Sequence, residues 1–194
     1  MILQQKRKTD FNGSLFLERA FASISEHGWI SFSPQKIEIE EGTYCPHFLE
    51  SKDDFLDFFE DSISKALYLT SIDIVDEEEA PKERLFDIMM ERFDLLTPYK
   101  DGLKRIIYAL PKDPKTLLKT VPSFRNLMID LLNYARIPYS GLSGEIKLLG
   151  MSYIYLKTCR IWLEDDTTDS SKTMAELDKN LTFADQVATS LFKR

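Results

Sequence analysis

The chain has 194 residues, 43% of them hydrophobic, 12% aromatic and 29% charged, which is the balance of one compact unit or two small subdomains and excludes a disordered chain. Its 25 Lys and Arg stand against 32 Asp and Glu, and the formal net charge of -7 opposes non-specific attraction to nucleic acid or anionic lipid, so any such contact must be local. Two cysteines, Cys45 and Cys159, are too few for a disulfide framework, Lys6-Arg7-Lys8 leads into Thr9, Asp10 and Asn12 rather than an apolar leader, and no run of about 18 uncharged apolar residues occurs; the expectation is a cytoplasmic protein with no membrane span.

Apolar residues recur at three and four throughout, with only 7 Gly and 8 Pro, so the spacing predicts an all-α fold. Thr9-Asp10 can cap a first helix over about 10–26, with Leu17, Phe21 and Ile24 on one face and His27-Gly28 as its stop. Residues 29–50 are broken by Pro34, Gly42 and Pro46 and hold two short helices at most. Ser51 with Asp54 makes a variant capping box for a helix to about 69 along Phe55, Phe59, Ile63 and Ala66. The acidic connector Asp76 to Glu79, followed by Ala80-Pro81, divides the chain into segments 1–70 and 80–194.

Beyond it, Leu85, Ile88, Met89, Arg92 and Leu96 predict a helix ending at Thr97-Pro98, which restarts another over Leu103, Ile106, Ile107 and Leu110. Asp113-Pro114 repeats the device, and Pro122 is expected to kink or divide the helix that carries Leu127, Met128, Leu131 and Leu132 as far as Ile137-Pro138. Residues 138–144 read as a linker. The helix over about 142–164 has two apolar stripes, Ile146, Leu149, Tyr153, Leu156, Leu163 and Leu148, Met151, Tyr155, Cys159, Trp162. The last helix places Met174, Leu177, Leu181, Ala184, Ala188 and Leu191 in a coiled-coil-like seam. About nine helices result. A surface helix buries one face, so the closing pair should join a second copy in a four-helix homodimer interface through Leu148, Met151, Tyr155 and that seam.

Catalytic patterns are poorly represented. His27 and His47 are the only histidines, Cys45-Pro46-His47 lacks a partner cluster at zinc spacing, and Asp165, Asp166 and Asp169 do not form an EF-hand pattern, Asp169 serving as a cap. With no phosphate-binding glycine run and no nucleophile elbow, the reading is a non-enzyme without cofactor or metal.

The order of a helix ending in His-Gly, two short helices, a Ser-Lys helix start and five or six more helices resembles the TetR family of ligand-responsive repressors. At the front the resemblance rests on Leu17-Glu18-Arg19-Ala20-Phe21 leading to His27-Gly28, on Thr43-Tyr44 and His47-Phe48, and on Ser51-Lys52-Asp53-Asp54-Phe55-Leu56. Behind it rests on Arg84-Leu85-Phe86-Asp87, Arg92-Phe93-Asp94, Trp162-Leu163-Glu164-Asp165-Asp166, Lys172-Thr173-Met174 and Leu177-Asp178, which also resemble the lipid-binding accessory proteins of ubiquinone biosynthesis. The resemblance implies a helix-turn-helix and operator contacts at Lys6, Arg7, Lys8, Thr43, Tyr44, His47 and Lys52. It further implies an apolar effector pocket, for which Phe93, Phe124, Met128, Tyr153 and Trp162 are candidates.

Two functions follow. One is a homodimeric transcriptional regulator that releases operator DNA when an apolar small molecule enters. The other is a lipid-binding or protein-interaction module of the same shape that does not read DNA. Charge bears on the choice, because residues 1–60 hold six positive groups against eleven acids, and Pro46 interrupts the stretch where a recognition helix should lie.

Overall fold

The computed structural model describes residues 11–40, 43–44, 48–76 and 78–192. The first helix, α1 (Gly13–His27), is capped by Asn12, whose side chain accepts from the Leu15 N–H at 3.1 Å; Thr9 and Asp10 lie outside the described residues. Its stop is the expected one: Gly28 takes φ +82° and its N–H closes the last turn onto the Ile24 carbonyl. Phe16, Leu17, Ala20, Phe21 and Ile24 are all buried along one face.

The next segment differs from expectation. In place of two short helices the chain makes a 3-10 turn, Pro34–Lys36, and a small antiparallel ribbon in which β1 (Glu38–Glu40) pairs with β2 (Thr43–Tyr44), Glu38 opposite Tyr44 and Glu40 opposite Thr43. The cause is an alternating pattern: Ile37 and Ile39 point into the core while Glu38 stays exposed, and two β-branched residues with an acid between them fit a strand better than a helix. Among the described residues no α-helix lies between α1 and α2.

Helix α2 (Lys52–Ile74) starts at the predicted capping box, with the Asp54 N–H donating to Ser51 Oγ at 3.2 Å and the Ser51 N–H to Asp54 Oδ2 at 2.8 Å, and runs five residues further than expected. After the acidic connector come α3 (Pro81–Leu96), a 3-10 turn at Thr97–Tyr99, α4 (Lys100–Ala109), a second turn at Leu110–Lys112, and α5 (Pro114–Tyr134), whose cap Asp113 accepts from the Thr116 N–H. Pro122 does not divide α5: it sits on the exposed side, where the helix loses one hydrogen bond facing water. The chain turns at Arg136, φ +54°, where the Ile137 N–H reaches the Leu132 carbonyl at 2.9 Å. Helix α6 (Gly141–Leu163) starts inside the expected linker, and α7 (Ser171–Phe192) closes the described chain. The described residues thus form seven α-helices rather than nine, and the fold is predominantly α-helical.

Helix α2 packs on α3 and α5, α1 on α4, α3 on α5 and α7, and α6 on α5 and α7. Along α2 and α5 the partners rise in step, Asp53 with Lys119, Asp57 with Ser123, Tyr68 with Tyr134, so these two helices run parallel. Apolar residues from both sides of the connector, Phe16 to Leu181, belong to one cluster. Among the described glycines the closest approach is that of α1 to α4 at Gly102, where a Cβ would stand 2.5 Å from Phe21 Cδ1 and 3.2 Å from the Phe21 carbonyl oxygen. Gly102→Ala must push α4 off α1, and a loss of about 1–3 kcal/mol is expected. A urea midpoint unchanged from wild type would contradict this packing.

Candidate functional site

Helix α6 carries two apolar stripes that the fold treats differently. One of its two apolar stripes turns inward: Leu148, Met151, Tyr155 and Trp162 are buried with Ile154 and Thr158. Of the opposite stripe Ile146, Leu149, Tyr153 and Leu156 face water together with Leu142, Leu142 81% and Leu149 71% exposed, whereas Leu163 is buried. Five large apolar residues in a row on one exposed helix face form the kind of patch that marks an interaction surface. Beside it runs a groove of about 490 Å³ between α6 and α7, floored by Leu85, Leu132, Met151, Ile154 and Leu181 and walled by Ile146, Tyr153, Phe183 and Val187. Gly150 lies in its wall, and a Cβ there would meet nothing within 4 Å. Glycine in mid-helix costs about 1 kcal/mol relative to alanine. No atom of the described residues requires it.

The residues expected at the dimer interface fall in two groups. Leu148, Met151, Tyr155, Leu177 and Leu181 belong to the subunit's own core, a correction of the expected interface, because this stripe of α6 and the first half of the α7 seam face α3 and α5. Met174 and Ala188 are exposed and Ala184 is half-buried, while the side chain of Leu191 lies outside the described residues. The α7 seam therefore continues past the point where its own subunit can cover it.

The expected ligand pocket does not gather around a cavity. Phe93, Met128 and Trp162 are buried, Phe93 stacks on Tyr155 at 5.8 Å and meets Trp162 tilted at 5.4 Å, and Phe124 meets Tyr155 edge-on at 5.9 Å, so these side chains fill space with one another. Tyr153 alone of the five lines the groove.

At the centre of the bundle the structure places a polar network that periodicity does not reveal. Arg92, 2% exposed, donates from Nη2 to Glu60 Oε2 at 2.7 Å and from Nε to the Tyr155 hydroxyl at 3.0 Å, joining α3 to α2 and α6; its Nη1 is buried without a hydrogen-bond partner. Burial works against the guanidinium charge, but Tyr155 and Glu60 outweigh it and hold the pKa above its ordinary value. Burial pushes the Tyr155 hydroxyl up to about 12 and the neighbouring Cys159 thiol up to about 11, with Arg92 pulling both the other way. A thiol so held is protonated and unreactive. The network is a structural joint.

A second joint fixes the α6–α7 turn. Asp165, 3% exposed, accepts from the backbone N–H and hydroxyl of Thr167 and from those of Thr173, at 2.5 to 3.1 Å. Burial raises its pKa, yet these four donors together outweigh burial and hold it far below the usual carboxylate range. Asp169 caps α7 as expected, accepting from the Ser171 N–H at 3.2 Å, but Asp165 makes the larger contribution.

Of the proposed DNA contacts, Lys6, Arg7, Lys8 and His47 lie outside the described residues, as do the side chains of Thr43 and Tyr44, whose backbones form β2. Lys52 is turned inward, donating to the Trp29 and Ile30 carbonyls at 2.8 and 3.0 Å over the Trp29 ring. Among the described residues no three His, Cys, Asp or Glu side chains are grouped to hold a metal, and no helix is long and apolar enough to cross a membrane. Cys45 and His47 lie outside that description. No protein-family model and no curated protein matches the chain.

Two predictions follow from the joints. Glu60→Leu leaves the Arg92 charge buried and unpaired, with an expected loss of about 3–5 kcal/mol; a urea midpoint within error of wild type would count against the network. Asp165 titrates lower in the folded chain than in the unfolded one, so its contribution is present above the ordinary carboxylate pKa of about 4 and lost as pH falls toward the folded value. Asp165→Asn should lower stability at neutral pH and narrow its gap to wild type as pH drops below about 4. A gap independent of pH would show that the carboxylate charge is immaterial.

Proposed function

We propose that this chain is a homodimeric helical interaction module of TetR-like shape that does not read DNA through a helix-turn-helix. The observation that carries this reading is the exposed apolar stripe of α6, from Leu142 to Leu156, beside a groove with Gly150 in its wall. An isologous pair can seat the stripe of each copy along the groove of the other, so both surpluses of apolar surface are covered by one symmetric contact. The close approach such a seat requires is where a helix-central glycine has its use. What sets the operator-binding reading second is the 3-10 turn Pro34–Lys36 and the pairing of Glu38–Glu40 with Thr43–Tyr44, in a front segment with excess acid.

A lipid-binding role is the companion reading, favoured by the volume and apolar floor of the groove, which fall in the range of small-molecule sites. An isoprenoid or single acyl chain is the ligand class that fits such walls.

Sedimentation equilibrium of the purified chain should give a dimer at micromolar concentration. Leu149→Glu should weaken it on the order of 100-fold, because a carboxylate is then buried without a partner. A wild-type monomer at the same concentration would reject the reading. Native mass spectrometry of the same sample reports any retained lipid, and duplex DNA retarded at low salt and released steeply as salt rises would restore the regulator.

A further inference from the structure

The acidic connector and the outer side of α2 take no part in that reading. Residues 57–79 carry eight acids against Lys65, a net charge of -7, which is the net charge of the whole chain. The remaining residues sum to zero. Asp57, Asp61, Tyr68 and Ile72 fall on one stripe of α2 at helical spacings, and all four are exposed. Immediately beyond the helix end stand the exposed Asp76, Glu78 and Glu79. Acids thus stand at the N-terminal end of the stripe and in the connector that follows the helix, with apolar residues between them along the chain, where Tyr68, Leu69 and Ile72 are 53%, 66% and 64% exposed.

These apolar residues border a depression. A groove of about 480 Å³ between α2 and α5 is lined by Asp61, Ser64, Lys65, Tyr68, Leu69 and Tyr134, with the Tyr68 and Tyr134 rings 6.0 Å apart and inclined by 51°. Asp61 forms no ion pair among the described residues, whereas Glu60, one residue earlier, is held by Arg92. The carboxylate at the groove is thus available, and two tyrosine faces stand beside it for aliphatic or cationic groups.

We propose that this α2/α5 groove docks a basic, apolar-anchored segment of a partner protein. Charge selects the class. Anionic membrane and nucleic acid are repelled by the stripe, and a purely basic peptide leaves Tyr68, Leu69 and Ile72 in water. A helical segment with Lys or Arg at both ends and aliphatic or aromatic side chains in the middle satisfies both parts. The distance from Asp61 to the helix end at Ile74 is roughly 20 Å, so the matching segment is about four turns long. No residue of this groove belongs to the α6/α7 face, and the inference stands independently of the dimer.

The test titrates the 194-residue chain into a fluorescein-labelled synthetic amphipathic peptide of Lys and Leu and follows anisotropy. Saturable binding that weakens as NaCl is raised is expected. Asp61→Lys and Tyr68→Ser should each weaken it about tenfold or more, and Asp61→Asn, a substitution too mild to unfold an exposed helix face, should weaken it less in the same direction. The proposal is overturned if neither Asp61→Lys nor Tyr68→Ser changes the affinity, or if a Glu and Leu peptide of the same pattern binds equally well. Binding of phosphatidylglycerol vesicles or duplex DNA in preference to the Lys and Leu peptide overturns it as well.

Discussion

A helix lying on one side of a bundle can bury one stripe of side chains, and α6 carries two. The inner one, Leu148 to Trp162, is committed to the core by contacts with Phe93 and Phe124, so the outer one is left to water for most of its length. Transfer of five such side chains from water is worth several kcal/mol at about 25 cal/mol per Å², and none of the described residues covers them. That surplus explains why α6 has a flat hydrophobic character around its circumference, why Gly150 is tolerated in mid-helix, and why the seam of α7 outlasts its own core. Each makes sense once another surface lies against them.

Several polar residues of the rear half are joints between helices. Arg84 bonds the Ala135 carbonyl at the end of α5, Arg92 ties three helices, Asp165 and Thr173 fix the α6–α7 turn, and Lys82 pairs with Asp178 at 2.8 Å. Groups of this kind hold helices at set angles and lie outside the α6/α7 groove, Lys82 excepted. Residues that serve as joints fix a shape and do not say what the shape binds. Function has to be argued from the surfaces instead.

Much of the helical frame was legible because its punctuation is chemical and local. The Ser51–Asp54 box, Gly28, Pro81, Pro114 and Asp113 each act within one turn, and each lies where the helix boundary is found. The front segment was misread because Ile37-Glu38-Ile39 is too short an alternation to stand out against breakers on either side, and its burial depends on a core assembled from distant residues. The two stripes of α6 were legible as a pair, but spacing says only that both are apolar; which one meets α3 and α5 is decided by tertiary packing, and so the inner stripe was assigned to the interface. Likewise Phe93 and Trp162 look the same in sequence whether they wall a cavity or fill one. The bond from Arg92 to Glu60 spans 32 residues, and no local rule could pair them.

The distribution of charge separates the molecule's two candidate surfaces. The outer stripe of α6 from Leu142 to Leu156 is apolar, with the exposed Glu145 at its side and Lys82, Lys147 and Asp185 along the groove, so a partner there is chosen mainly by shape, and a second copy offers ridge and groove at once. The α2 stripe gathers acids around an apolar centre, so its partner is chosen first by sign and then by fit. Long-range attraction falls off over about 8–10 Å at physiological salt, which is shorter than the length of α2, so each end of the acidic stripe acts on whatever lies directly over it. A neutral apolar face and an acidic one on different helices therefore do not compete for the same ligand, and occupancy of one leaves the other open.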